Sequence, residues 1–344
     1  MARRRRAGRG RTADRAVLAA SLAWVGALAL VRACNAAGPE QWRWAALNLF
    51  VPQWFWGVPG PVLLVWTLRR ARRWAWLPAV GIAWVAGPAM GFRWPSRGAA
   101  VPAGAVTLRV MTYNVKGHPG RADVAAEVAA ADPDLVLMQE AGEGRLSGDT
   151  ALLLRGWHRA GPKAGLLIAS RFPLRDVRLR AIPEVSTYRS YLRCRLRVRG
   201  RDVTVCCVHL PTPRAGLAPL AAWGSEAAPE WQSSINARLT HAVMLARALR
   251  AEPEPRLVAG DLNAPAESMI CHYLLATGLR DAFDVAGAGY GYTYGHALAV
   301  RHSYVRIDHV LVGREWGVRR CRTGGAGASD HRPVIADLWL PPAR

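Results

Sequence analysis

The hydrophobic pattern of the chain changes once, near residue 93. Before that point apolar residues run nearly unbroken. After it they come in short segments, alternating or helically spaced. Ala16–Val31 is 16 residues without a charge, Trp44–Leu68 is 25 and Trp74–Phe92 is 19. A helix that crosses a bilayer needs about 20 largely apolar residues, within a range of about 17–25. These runs therefore predict a bundle of three transmembrane helices, at 16–33, 44–68 and 74–92. The first run is slightly short, but the flanking Arg15 and Arg32 can reach back to the head groups. The second contains Pro52, Pro59 and Pro61 and is expected to kink or re-enter. A cleaved signal peptide is the competing reading of the first run, and it leaves the later domain on the same side.

Residues 93–105 read as a linker, rich in Pro, Gly and Ala. From 106 to 340 the periodicity predicts an α/β domain. Val106–Val115 alternates and is rich in β-branched residues, which predicts a strand. Arg121–Ala131 has helical spacing, stopped by Asp132-Pro133-Asp134. Leu135–Met138 and Gly165–Ser170 predict buried strands, and 191–198 with 203–209 a hairpin around Gly200. A Pro/Ala/Gly loop follows over 211–234, carrying Trp223 and Trp231, and is placed to shape access to a site. Helices are expected at 236–249 and 266–277, and strands at 257–263, 305–312 and 333–339.

Charge orients the first part. The net charge is +22, and residues 1–104 hold 15 Arg against only Asp14 and Glu40. Seven Arg lie in the arm 1–15, and Arg69, Arg70, Arg72 and Arg73 crowd one link. Positive charge stays on the cytoplasmic side. A cytoplasmic arm and three crossings put the later domain outside the cytoplasm, on a multi-pass protein of the cell membrane. Ten of the 15 Trp also precede residue 105, as expected at a lipid–water interface. The six Cys show no zinc-ligand spacing and read as small buried residues, with one disulfide left open. Arg193, Arg195, Arg197 and Arg199 share one face of a strand, either a stripe for a polyanion or a solvated outer face.

Candidate chemistry sits at strand ends: Asn114, Glu140, His209, Asp261 with Asn263, Asp308, and Asp330 with His331. Each alone has a bland reading as a cap, a salt bridge or a core histidine. Burying carboxylates singly is costly, and grouping them around one hard divalent ion removes that cost. The oxygen-rich set suits Mg²⁺, with Mn²⁺ as the substitute.

The ordered set Thr112-Tyr113-Asn114-Val115, Met138-Gln139-Glu140, Val208-His209-Leu210, Gly260-Asp261-Leu262-Asn263-Ala264-Pro265, Arg306-Ile307-Asp308-His309-Val310 and Ser329-Asp330-His331-Arg332-Pro333-Val334 resembles the endonuclease/exonuclease/phosphatase superfamily. The three-run leader resembles a bacterial membrane-anchored branch of that group. The resemblance covers 106–340 and implies a four-layer αββα sandwich of two mostly antiparallel sheets. It implies metal-dependent hydrolysis of a phosphodiester or phosphomonoester, in a nucleic acid or a phospholipid head group, beside the bilayer. No protein partner is predicted.

The implied roles are specific. Glu140 would bind the metal, Asn114 would help place metal and phosphate, and Asp330 would support the metal or the histidine. His331 would be a general base or phosphate ligand, oriented by Asp308. Asp261 would orient the nucleophile or handle a proton. Asn263 and His209 would hold phosphoryl oxygens, and His209 would protonate the leaving oxygen. The sequence shows no acidic partner for His209. The alternative from another class is a catalytically inactive, membrane-anchored binding or sensing domain of the same fold.

Overall fold

The computed structural model describes residues 2–95, 98, 100–143, 146–182, 190–214, 216–217 and 227–342. It divides into two compact units, residues 1–92 and 93–344.

The first unit differs from three comparable spans. Helix α1 runs Ala2–Ala36, and Thr12–Ala36 alone is long and apolar enough to cross a membrane among the described residues. At 1.5 Å per residue those 25 residues reach roughly 37 Å, beyond the ~30 Å of a hydrocarbon core. The 44–68 run is broken as its prolines dictate. It becomes α2 (Arg43–Asn48), a 3₁₀ turn (Gln53–Gly57) and α3 (Pro59–Arg70). The third run gives α4 (Trp76–Trp84), continued by a π-turn over Val85–Ala89 that contains Pro88. The 12 residues of α3 span only about 18 Å. The expected bundle of three transmembrane helices is thus corrected to one long apolar helix with shorter helices on its flank. Trp24, Leu28, Leu63 and Val85 form their shared core. Gly60 and Gly81 let α3 and α4 approach, since a Cβ on either would fall within 3 Å of the Trp24 ring.

The second unit holds two six-stranded sheets. The first contains β1 (Val106–Asn114), β2 (Leu135–Gln139), β3 (His158–Lys163), β4 (Leu166–Ser170), β11 (Gly317–Thr323) and β12 (Val334–Leu340), in the order β11-β12-β1-β2-β4-β3. The second contains β5 (Leu174–Ala181), β6 (Ser190–Val198), β7 (Arg201–His209), β8 (Arg256–Asp261), β9 (Arg280–Asp281) and β10 (Asp308–Val312), in the order β5-β6-β7-β8-β10-β9. Among the described strands only β1–β2 and β7–β8 are parallel pairs. Each parallel pair needs a crossover helix. α5 (Ala122–Ala131) joins β1 to β2, and α7 (Ala227–Arg250) joins β7 to β8, with α6 (Gly148–Leu153) between them in chain order. α8 (Met269–Leu275) and α9 (Ala282–Ala286) follow.

The inner faces meet in one apolar core that includes Leu108, Val110, Leu137, Cys194, Leu196, Val205, Ala259, Val310 and Leu338. α5 packs on the outer face of the first sheet through Val124, Val128, Met111 and Met138. α7 and α8 pack on the outer face of the second through Leu245, Leu249, Val258 and Ile270. This is the expected four-layer αββα sandwich. The six cysteines are unbridged, five of them buried.

Some boundaries move. The loop after β7 is shorter than expected, because α7 begins at Ala227 and Trp231 is buried within it. Trp223 lies outside the described residues. The Arg193 stripe is not a free basic surface. Arg193 is buried between Asp176 and Glu252, Arg195 donates to the Thr204 hydroxyl and Arg197 pairs with Asp202.

The topology explains why the polar strand ends converge. Two parallel pairs bring the C-terminal ends of β1 with β2, and of β7 with β8, to one rim. β10 starts there because it runs antiparallel to β8, with Asp308 opposite Asp261. β12 starts there because it runs antiparallel to β1, with Val334 opposite Thr112. Gly260 permits the closeness of β7 and β8 at this rim: a Cβ on it would lie 1.8 Å from the Val208 carbonyl oxygen. That oxygen is backbone and cannot move aside. Gly260→Ala is expected to destabilise the domain by about 3 kcal/mol or more, read by denaturant unfolding. A midpoint equal to the wild type's would refute the close-approach argument.

Candidate active site

Asn114 ends β1, and its buried amide nitrogen bridges two carboxylates. It donates to Glu140 Oε1 at 3.0 Å and to Asp261 Oδ2 at 3.0 Å, while its oxygen accepts from the Lys116 backbone N–H at 3.1 Å. Glu140 follows β2 in the left-handed region, at φ 51°. For a residue with a β-carbon that conformation costs roughly 1–2 kcal/mol, and such strain concentrates at functional sites. Asn263, after β8, is likewise left-handed at φ 49°. Its backbone N–H donates to Asp261 Oδ1 at 2.8 Å, and its amide nitrogen donates to Asp261 Oδ2 at 3.2 Å and to the Leu210 carbonyl at 2.9 Å. Asn263 therefore fixes Asp261, which is 1% exposed.

His331 precedes β12. Its Nδ1 meets Asp308 Oδ2 at 2.9 Å, and its Nε2 faces Asp261 Oδ2 at 3.8 Å. Asp308 is fixed from behind by Thr293, whose hydroxyl accepts from the Ile307 and Asp308 N–H groups. The partner for His209 that the sequence did not reveal is now visible. His209 Nε2 lies 3.6 Å from Asp261 Oδ2 and 3.8 Å from Glu140 Oε1. The Asp330 carboxylate meets Lys116 Nζ at 3.1 Å, and its charge also favours a protonated His331.

Electrostatics follow from this crowding. Burial first, and then the Asp308 charge, raise the Asp261 carboxyl above the ordinary aspartate value. Burial opposes a charged His331, but Asp308 and then Asp261 outweigh it and push the ring up to about 10. With these neighbours alone, His331 holds its proton at neutral pH.

The cluster also fits a cation. Asp261, Asp308 and His331 offer ligand atoms within 4.8 Å of one another. Asp308 Oδ1 is buried and accepts no hydrogen bond, an orphaned acceptor of the kind a metal satisfies. The Glu140 side chain is 43% exposed and borders the same space through Asn114 and His209.

Four neighbours were not singled out from the sequence. The Tyr294 ring packs on His331 with centroids 4.9 Å apart, and Arg214 donates to the Tyr294 hydroxyl at 3.1 Å. Thr293 and Lys116 complete the set. Thr293 and Tyr294 lie in a segment without regular periodicity, where no strand end marks them. Lys116, two residues past Asn114, was the legible one, as one of only two lysines in the chain.

A comparison with protein families matches residues 111–331 to the endonuclease/exonuclease/phosphatase family. No curated protein matches the chain. Solved structures share the fold. An endonuclease/exonuclease/phosphatase from Bacteroides vulgatus is 17% identical, covers 68% of this chain and 99% of its own, and has a TM-score of 0.51. One from Beutenbergia cavernae is 21% identical, with 68% and 72% covered and a TM-score of 0.47. An AP endonuclease from Archaeoglobus fulgidus is 20% identical, with 67% and 98% covered and a TM-score of 0.49. The family match takes in every strand-end residue from Asn114 to His331 and well over half the chain, so this protein belongs to the endonuclease/exonuclease/phosphatase family, whose members hydrolyse phosphoester bonds.

Proposed function

We propose that the chain is a divalent-metal-dependent phosphoesterase, tethered to the cell membrane by α1, with its hydrolase unit outside the cytoplasm. The observation that carries the hydrolytic reading is the convergence of Asn114, Glu140, His209, Asp261, Asn263, Asp308 and His331 on one rim. Glu140 would hold the cation, with Asp261 and Asp308 adding negative charge beside it. A bound Mg²⁺ or Mn²⁺ would supply positive charge for the phosphoryl oxygens and would weaken the hold of the carboxylates on the His331 proton.

The remaining roles fall to the chain itself. Asp308 orients His331 by taking its Nδ1 proton in a hydrogen bond, leaving Nε2 to face the reacting phosphate. Asp261, with a raised pKa, takes the proton of the attacking water. Asn114 and Asn263 hold Asp261 in place. His209 meets a phosphoryl or leaving oxygen. Asp330, held by Lys116, supports the turn that carries His331.

The membrane reading rests on α1 and on the apolar surface around it. Leu22, Leu30, Val62, Val65, Trp66 and Val80 are all exposed in the first unit, a density that suits lipid rather than water. The seven Arg of the arm keep that end inside, and the Arg70–Arg73 turn lies beside Asp14 and Arg15 at the same end, so the chain beyond α4 emerges on the far side.

The substrate class is either a nucleic acid or a phospholipid head group. Lys116 and Arg214 border the site, and both favour a substrate with further negative charge over one carrying a choline cation. Full-length protein in detergent, assayed with Mg²⁺ on DNA, RNA, anionic phospholipids and sphingomyelin, tests this. Turnover of a nucleic acid or an anionic lipid is expected. Turnover confined to sphingomyelin would overturn the charge argument, and no turnover of any of them would overturn the hydrolase reading.

Tyr294 should act on substrate placement. Tyr294→Ala is expected to raise KM and to lower kcat about tenfold by loosening His331. A variant with both constants unchanged would remove Tyr294 from the site.

A further inference from the structure

We propose a second ligand site in the first unit, a pocket for one anionic phospholipid head group on the cytoplasmic side. It rests on the tether reading above. A cavity of about 400 Å³ opens where the start of the α1 span meets the turn between α3 and α4. It is lined by Asp14, Arg15, Arg70, Arg72, Arg73 and Trp74, with Leu18 on its apolar side. Four arginines from two separate segments thus line one space, against a single aspartate.

The chain itself does not neutralise them. Among the described residues, Asp14, Arg15, Arg70 and Arg72 make no ion pair, and Arg73 has only the face of Trp74, 5.6 Å from the ring centroid. Arginines that line one space repel one another, and an oxyanion able to take bidentate hydrogen bonds relieves that repulsion. A phosphate diester meets the requirement. The volume is room for on the order of ten waters, enough for a phosphate and its glycerol.

Depth selects a lipid over a free solute. The apolar span begins at Thr12, so Asp14 and Arg15 stand in its first turn, at the level of the head groups. Trp74 and Trp76 lie beside them with ring centroids 6.5 Å apart, the residue type favoured at that boundary. An anion reaching the cavity from the bilayer brings its own acyl chains, which Leu18 and the exposed flanks of α1 and α3 can cover. The arrangement fits an anionic lipid of the inner leaflet, where basic pockets between helices bind such head groups.

The test uses the full chain in vesicles of phosphatidylcholine alone, or of phosphatidylcholine with a minor fraction of phosphatidylglycerol. Flotation reports insertion. Native mass spectrometry of protein released from the mixed vesicles reports which lipid stays bound. Wild type should float with both vesicles and retain phosphatidylglycerol about tenfold or more above its share of the mixture. The double variant Arg70→Gln with Arg73→Gln should still float but lose that enrichment. The control pair Arg32→Gln with Arg43→Gln, outside the cavity, should keep it. Flotation without enrichment, or enrichment lost equally in the control, overturns the lipid site alone. Failure to float with either vesicle overturns the tether and the site together.

Discussion

His331→Ala is expected to lower turnover of a simple phosphodiester by about 10³-fold, within the 10²–10⁴ that a positioned acid or base supplies. The fold should survive, because the ring faces the Asp308 and Asp261 carboxylates and one tyrosine rather than the apolar core. Asp308→Ala should have a smaller effect on rate, since it removes the orientation of His331 but not the ring. It also removes the charge that most favours a protonated His331, so the pH dependence of kcat/KM should move to lower pH in this variant. The pair of profiles is the check. An Asp308→Ala profile superimposed on the wild type's would mean that Asp308 does not act through His331.

The second large effect concerns stability. Behind the site, Asp281 is buried against both Arg306 and His309, and it also caps α9 by accepting from the Phe283 N–H at 2.8 Å. His309 Nδ1 meets Asp281 Oδ2 at 2.7 Å and its Nε2 meets the Ala264 carbonyl at 3.0 Å. Both ring nitrogens therefore face oxygen acceptors, an arrangement that favours a doubly protonated ring, although Arg306 Nη1 also lies 3.0 Å from Nδ1 and opposes it. Burial opposes that charge, the nearby Cys271 sulfur and the Asp281 carboxylate favour it, and the ring is pushed up to about 10. Asp281 is held well below the usual carboxylate range, with burial outweighed by Arg306 and then His309.

Asp281→Ala leaves two buried cations without their carboxylate. A loss of about 3–5 kcal/mol is expected, seen as a fall in Tm on the order of 10 °C. Its pH dependence follows from the two shifts. The raised His309 value stabilises the fold fully below about pH 6.5 and loses that contribution as pH rises through about 10. The depressed Asp281 value stabilises above about pH 3.9 and loses its contribution as pH falls. The difference between wild type and variant should peak between these limits. A difference independent of pH would show that the clasp is not ionic.

Much of the hydrolase unit was legible in the sequence, because parallel and antiparallel pairing forces particular residues to one rim. Asp261 and Asn263 were readable as a strand exit, and Asn114 and Glu140 likewise. The contacts that make them a site were not. Asn114 bridging two carboxylates depends on β1 and β8 lying in facing sheets, which no local pattern encodes. The clasp of Asp281, Arg306 and His309 was hidden for the same reason: Asp281 is 25 residues from Arg306 in sequence. In the first unit the apolar runs show in the sequence, but among the described residues only Thr12–Ala36 forms a helix long and apolar enough to cross a membrane. Pro52, Pro59, Pro61 and Pro88 divide runs whose composition alone resembles full spans.

One rim forms the proposed metal-dependent phosphoester hydrolase. It is tested most directly by following bis(p-nitrophenyl) phosphate hydrolysis by the full chain in chelator, then through a Mg²⁺ titration, beside Glu140→Ala. No turnover is expected in chelator, with saturable recovery by Mg²⁺ in the wild type and little recovery in Glu140→Ala. Full activity in chelator, or equal recovery by Glu140→Ala, would contradict it.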